Sequence, residues 1–175
     1  MTRRLIIAFV LTIFFAAPSA ASLDIAQQYM ANPALVGEAR LKFLFWKIYD
    51  AELYAPDGNW SDTKPFALTF TYLRKATSEQ ISKRMVKELR KQGFEDEARL
   101  NNWYQTSLSI FPDVDKGSQI TGVRDEYGHA LFFLNDQPIG RVEDPFFTDW
   151  FFRIWLGEKT SVPKFRSRLL GKEPS

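Results

Sequence analysis

GEARLKFLFWKIYDAELYAP, residues 37–56, is the densest apolar run beyond the N-terminus, and whether it is helix or strand settles the class of the chain. Counted by twos, one face carries Ala39, Leu41, Phe43, Phe45, Lys47, Tyr49, Ala51 and Leu53, apolar or aromatic except at Lys47. The other begins with Arg40 and Lys42, is apolar at Leu44, Trp46 and Ile48, and turns polar at Asp50 and Glu52. The pattern predicts one long strand, covered on both faces in its middle and wet at both ends, with a break or bulge near Lys47. A helix through Leu41, Leu44, Phe45 and Ile48 fits the spacing too. Phe43, Trp46, Tyr49 and Leu53 would make that helix apolar all round, and Pro56-Asp57-Gly58-Asn59 then signals a hairpin, so strand is preferred.

Downstream, Phe66 to Leu73 alternates cleanly, with Phe66, Leu68, Phe70 and Tyr72 on one side and Ala67, Thr69 and Thr71 on the other, predicting a second strand. Thr77-Ser78-Glu79-Gln80 reads as a capping box opening a helix with a stripe of Ile81, Met85, Val86 and Leu89, closed at Gly93. The acidic group Glu95, Asp96, Glu97 suits the start of a second helix, which carries Leu100, Trp103, Tyr104, Leu108 and Phe111 and ends at Pro112. The period then returns to two over Ser118–Arg124, Ala130–Leu134 and Ile139–Val142, a short meander. Asp144-Pro145 starts a strongly aromatic helix, Phe146 to Leu156, stopped by Gly157. A final amphipathic helix is predicted over Val162 to Leu170, with Ser161 as its cap and Gly171 after it. Strands and helices in this order make an α+β domain, an antiparallel sheet with helices packed on one side.

Upstream, Arg3 and Arg4 precede an unbroken apolar segment from Leu5 to Ala17, and Pro18-Ser19-Ala20-Ala21 offers the small residues of a cleavage site. Residues 1–21 therefore read as a secretory signal peptide and 22–175 as one domain, periplasmic or secreted, with no integral membrane segment after cleavage. An uncleaved anchor is the competing reading. Loss of Arg3 and Arg4 brings the formal charge of +2 to zero, which argues against nucleic acid as a partner. With no cysteine there is no disulfide, thiolate metal site or thiol nucleophile, and 16 Phe and 5 Trp are available to fill a core.

Catalytic constellations are scarce. His129 is the only histidine, which excludes a multi-histidine metal site, and its place beside Gly128 reads as an exposed strand residue. No GxSxG, HExxH or P-loop occurs, and no cofactor is implied. Asp113, Asp115, Asp125 and Asp144 are scattered through turns and caps, where Asp serves local hydrogen bonding. Lys83, Arg84, Lys87, Arg90 and Lys91 read as the solvated face of a helix. The cluster Phe146, Phe147, Trp150, Phe151, Phe152 and Trp155 holds more large side chains than one buried stripe needs, so part of it can line an apolar pocket. Arg40, near Leu44 and Trp46, reads either as a carboxylate anchor beside an apolar cavity or as an ordinary surface arginine.

The order of GEARLKFLFWKIYDAELYAP, FALTFTYLRK, FPDVDKGSQITGV, FFLNDQPIGRVEDPFFTDWFFRIWLG and RSRLLG resembles the bacterial chalcone isomerase-like family over nearly all of residues 22–175. Gly-x-x-Arg, Tyr-x-x-x-Leu-Tyr and a late Ile-Trp-Leu-Gly carry the resemblance together. It implies an open-faced β-sandwich, a large antiparallel sheet with a helical layer on one face. Plant enzymes of that superfamily cyclise chalcones to flavanones, and other members bind fatty acids in the corresponding cleft. By this resemblance Arg40 matches an arginine near the start of the leading strand that contacts the ligand's anionic group. Tyr49 lies roughly where the plant enzymes place a hydroxyl-bearing threonine. Those enzymes also use a tyrosine and an asparagine in the helix after the second strand, and here SEQISKRMVKELRKQ has neither. The addition of a phenolate to an enone needs a group that polarises the ketone, so the departure points away from catalysis.

The resulting expectation is a non-catalytic exported domain holding an apolar carboxylate such as a fatty acid, its head on Arg40 and its contacts at Leu44, Trp46 and Tyr49. Two readings stay open beside it. One is an isomerase or lyase acting on a conjugated carbonyl compound, with Arg40 as electrophilic anchor and Tyr49 as proton donor. The other is an interaction or scaffold domain of the cell envelope with no ligand, its protein partners unnamed.

Overall fold

The computed structural model describes residues 20–172, which form six strands and five helices. Except for the two positions that open the first helix, the expected signal segment lies outside the described residues. That helix, α1 (Ala20–Tyr29), has no counterpart among the sequence expectations. Its pattern is too short and too weakly amphipathic to stand out beside the apolar segment before it.

Residues 33–56 are two strands, β1 (Pro33–Phe43) and β2 (Trp46–Pro56), paired antiparallel through a tight turn at Leu44-Phe45. The single long strand is thereby corrected. Apolar residues run through the turn without Gly or Asn to mark it, so alternation alone gave no reason to break the run. Burial in the middle is corrected with it, since Leu44 is 77% and Trp46 60% exposed. The expected irregularity does occur. Leu41 pairs with Tyr49 and Lys42 with Lys47, leaving Ile48 as the extra residue of a bulge.

β3 (Phe66–Tyr72), β4 (Gln119–Arg124), β5 (Ala130–Leu134) and β6 (Gln137–Val142) complete one antiparallel sheet whose strand order is the chain order. The alternation of β3 sorts as read: Phe66, Leu68 and Phe70 enter the main core, while Ala67 joins a smaller cluster on the opposite face. Between β3 and β4 the chain makes α2 (Ser78–Lys91) and α3 (Glu97–Ile110). Thr77 and Gln80 close the capping box at the start of α2 in both directions, and the Asp96 carboxylate caps α3. After β6 come α4 (Pro145–Leu156), capped by Asp144 onto the Phe146 N–H at 3.0 Å, and α5 (Pro163–Leu169). Ser161 does not cap α5 as expected, because its hydroxyl is spent on Glu88.

The core lies between one sheet face and the layer α2 to α5, filled by Leu53, Leu68, Leu89, Leu100, Phe132 and Phe147 among others. On the other face α1 lays Ile25 and Ala26, with Met30 just after it, against Tyr54, Val123 and Phe133, so one helix also covers part of the side expected to be open. Buried Ser82 and Ser107 satisfy one another at 2.7 Å between α2 and α3. Gln92 donates to the Arg153 carbonyl at 2.9 Å, tying α2 to α4.

Candidate ligand-binding cavity

Where the hairpin end of the sheet meets the helical layer, packing leaves a cavity of about 220 Å³. Its sheet wall is Leu41, Ile48, Tyr49, Phe70 and Tyr72, and the bulge at Ile48 is what lets two consecutive residues of β2 reach it. Its helix wall is Ile81, Met85, Phe151, Ile154 and Trp155. Phe151 and Trp155 belong to the aromatic cluster of α4, and the rest of that cluster packs elsewhere: Phe147 and Phe152 are buried in the core, and Phe146 is partly exposed. A larger concavity of about 730 Å³ lies between the 60–63 loop and α4, but Asp62, Arg124, Asp149, Arg153, Glu158 and Lys159 line it. So many charges favour water over an apolar guest.

Few polar groups enter the smaller cavity. The Tyr49 hydroxyl accepts a hydrogen bond from Trp155 Nε1 at 2.8 Å, and its ring meets Phe70, Tyr72 and Phe165 edge-on. Burial pushes this hydroxyl up to about 12, against the downward pull of the Trp155 bond, so it stays protonated at neutral pH. Burial raises Tyr72 in the same way. Glu88 is the one carboxylate at the cavity wall among the described residues, with only 2% of its side chain exposed. It accepts from the Ser161 hydroxyl and from Lys91 Nζ at 3.1 Å, and pairs with Arg84 Nε at 3.0 Å. Burial alone would raise the Glu88 carboxyl, but those hydrogen bonds and the charges of Arg84 and Lys91 outweigh it and hold it below its ordinary value.

Arg84 is the only cation lining the cavity among the described residues. Its place on α2, one turn before Glu88, commits Nε to that carboxylate, while about half of the side chain stays exposed. A fork of two donors at the rim of an apolar hole can take a carboxylate whose tail goes inside. Sequence reasoning placed Arg84 on a solvated helix face, and the only signal of its role was its position one turn from a glutamate within the stripe of Ile81 and Met85.

Of the four expected ligand contacts, Tyr49 alone lines the cavity. Arg40 alternates to the opposite face of the sheet, since Ala39 and Leu41 take the core side, and its Nη2 donates to Asp50 Oδ2 at 2.7 Å. That cross-strand pair is the ordinary surface reading. Leu44 and Trp46 stand at the hairpin tip, outside the cavity. His129 Nδ1 accepts from Arg141 Nη2 at 2.9 Å and lies 3.4 Å from Asp125, a local cluster at the β4–β5 turn.

Comparison with known proteins adds a frame to this geometry. No curated protein matches the sequence. Among solved structures, a fatty-acid binding protein of Arabidopsis thaliana superposes with a TM-score of 0.61 at 10% identity, over 79% of this chain and 87% of the other. At that identity the likeness concerns the fold, and it agrees with the open antiparallel sheet and its helical layer. The sequence pattern described as chalcone isomerase-like matches residues 29–171, from the end of α1 to the glycine after α5. With that match over most of its length, the chain belongs to the chalcone isomerase-like family.

Proposed function

We propose that this protein is a non-catalytic, exported binder of a single-chain apolar carboxylate such as a fatty acid, with the chain in the 220 Å³ cavity and the carboxylate on Arg84. The observation that carries the reading is a mainly apolar hole whose one lining cation among the described residues, Arg84, is half-exposed beside its partner Glu88. The volume falls short of the roughly 300–1,000 Å³ usual for drug-sized ligands, which favours a slim chain over a multi-ring compound. A relative in fold that is named for fatty-acid binding supports the same ligand class. For an isomerase the cavity offers Tyr49 as a hydrogen-bonding hydroxyl, the Glu88 carboxylate at its wall is already engaged by Ser161, Lys91 and Arg84, and α2 carries neither tyrosine nor asparagine.

The test is to purify the protein natively from a cell-envelope extract and identify co-purifying small molecules by mass spectrometry. A stoichiometric fatty acid is expected, and an intact mass beginning at Ser22 checks export in the same preparation. Arg84→Ala should weaken fatty-acid affinity by about 1.5 to 3 kcal/mol, the worth of hydrogen bonds to a charged group. Arg40→Ala should leave it unchanged. A preparation that carries nothing, and whose melting temperature no fatty acid raises, rejects the proposal; a loss in Arg40→Ala without one in Arg84→Ala returns the head group to the other face of the sheet.

A further inference from the structure

The tip of the β1–β2 hairpin presents four consecutive large apolar side chains to solvent: Phe43 is 64%, Leu44 77%, Phe45 97% and Trp46 60% exposed. Single exposed apolar residues are ordinary, but a contiguous cap of this kind marks a surface that another phase or partner covers. The turn is also an expensive way to join two strands. Leu44 holds φ at +53°, where a two-residue turn ordinarily takes Gly, Asn or Asp, so the backbone bears a cost that a small turn residue would spare.

Charge identifies the occupant. Lys42 and Lys47 face one another across the hairpin directly below the cap, a like-charge pair that disfavours the free hairpin. Arg74 stacks its guanidinium 4.9 Å from the Trp46 ring centre, and exposed Lys75 follows it on the adjoining loop. Residues 41–48 and 73–76 together hold four basic side chains and no acidic one. An apolar aromatic cap above a collar of lysine and arginine matches the layering of an anionic bilayer, in which tryptophan and phenylalanine enter the headgroup boundary and basic side chains stay at the phosphates. A protein partner would need a hydrophobic groove walled by acids to satisfy the same surface.

We propose that this hairpin tip docks the protein on anionic phospholipid surfaces. Leu41 and Ile48, the residues next to the collar, line the cavity, so docking would bring its mouth to the lipid. The docking itself rests on the tip and its collar and not on the fatty-acid reading.

The test is co-sedimentation of the natively processed protein with vesicles of phosphatidylcholine alone or mixed with phosphatidylglycerol, beside two variants carrying the same N-terminus as judged by intact mass. Wild type should bind the anionic vesicles more tightly than the neutral ones, and added salt should weaken that binding. The F43S/F45S/W46S variant should lose about a hundredfold or more in vesicle affinity, since three buried aromatic contacts are removed. The K42E/K47E variant keeps the cap and should lose the preference for anionic vesicles. Circular dichroism should match wild type in both, as these side chains support no core. Vesicle binding equal in wild type and F43S/F45S/W46S overturns the proposal, as does a concentration-dependent dimer that the same variant abolishes while wild type ignores vesicles. Fatty-acid loading separates the two proposals: it should survive in F43S/F45S/W46S, whereas Arg84→Ala should lose loading and keep vesicle binding.

Discussion

Glu88 and Arg84 show how one buried charge can set the character of a site. A carboxylate with 2% of its side chain exposed is tolerable only because Ser161, Lys91 and Arg84 all contribute to it, and the helical spacing of these residues on α2 places two of the three. Since the folded protein holds Glu88 below the ordinary carboxyl value of 4.5, folding favours its charged form. That contribution is present in full above 4.5 and is lost as pH falls through the depressed folded value. Glu88→Gln should therefore lower the urea midpoint at neutral pH, with the gap from wild type closing as pH drops below 4.5; denaturation curves across that window check it. Arg84 was hidden in the sequence for the same reason that Arg40 stood out. Both are arginines beside apolar residues, but which side of a sheet or helix a residue takes depends on registers that a bulge can shift, and that the spacing alone does not give.

In the β1–β2 hairpin the alternation was legible and the turn was not. From Ala39 to Leu41 and from Tyr49 to Ala55 the core face follows the expected period, and the bulge lies beside Lys47 as read. The turn at Leu44-Phe45 was missed because it uses none of the residues that make turns cheap. Helices were more legible, since capping is local chemistry: Thr77 and Asp144 bind N–H groups as expected of caps, and within the acidic group read as a helix start it is Asp96 that caps. Gly37, part of the Gly-x-x-Arg pattern, has a purely steric explanation. A Cβ there would lie 2.2 Å from the Arg168 carbonyl oxygen and 2.8 Å from that of Leu169, both backbone atoms at the end of α5. Gly37→Ala should accordingly cost more than the roughly 1 to 3 kcal/mol of ordinary overpacking, because backbone cannot rotate away. Thermal unfolding measures the loss, and hydrogen exchange should place it in β1 and α5.

Taken whole, the chain is a sheet whose spatial order repeats its sequence order, with α2 and α3 inserted at the midpoint. That class was legible because two strand-rich stretches flank two well-capped helices. The cavity was not, because it is what imperfect packing leaves among side chains from four strands, two helices and the loops between them. Edges are managed differently on the two sides. β6 carries Pro138 and Gly140, which discourage pairing with another strand, and β1 runs beside α5. At the midpoint, β3 and β4 form a single seam, closed by the Thr69 and Thr121 hydroxyls at 2.9 Å. Each half is thus a three-stranded meander whose helices also cross to the other half, α5 onto β1 and α2 onto α3 and α4, and Gly93 sits in the short link between α2 and α3 with open space where a Cβ would be. Such a chain is a natural split protein: two polypeptides, ending at Gly93 and beginning at Phe94, should reassemble along the β3–β4 seam and these helix contacts when co-expressed and elute together. Failure of the halves to find each other would mean that the covalent link, and not the seam, carries the register of the whole sheet.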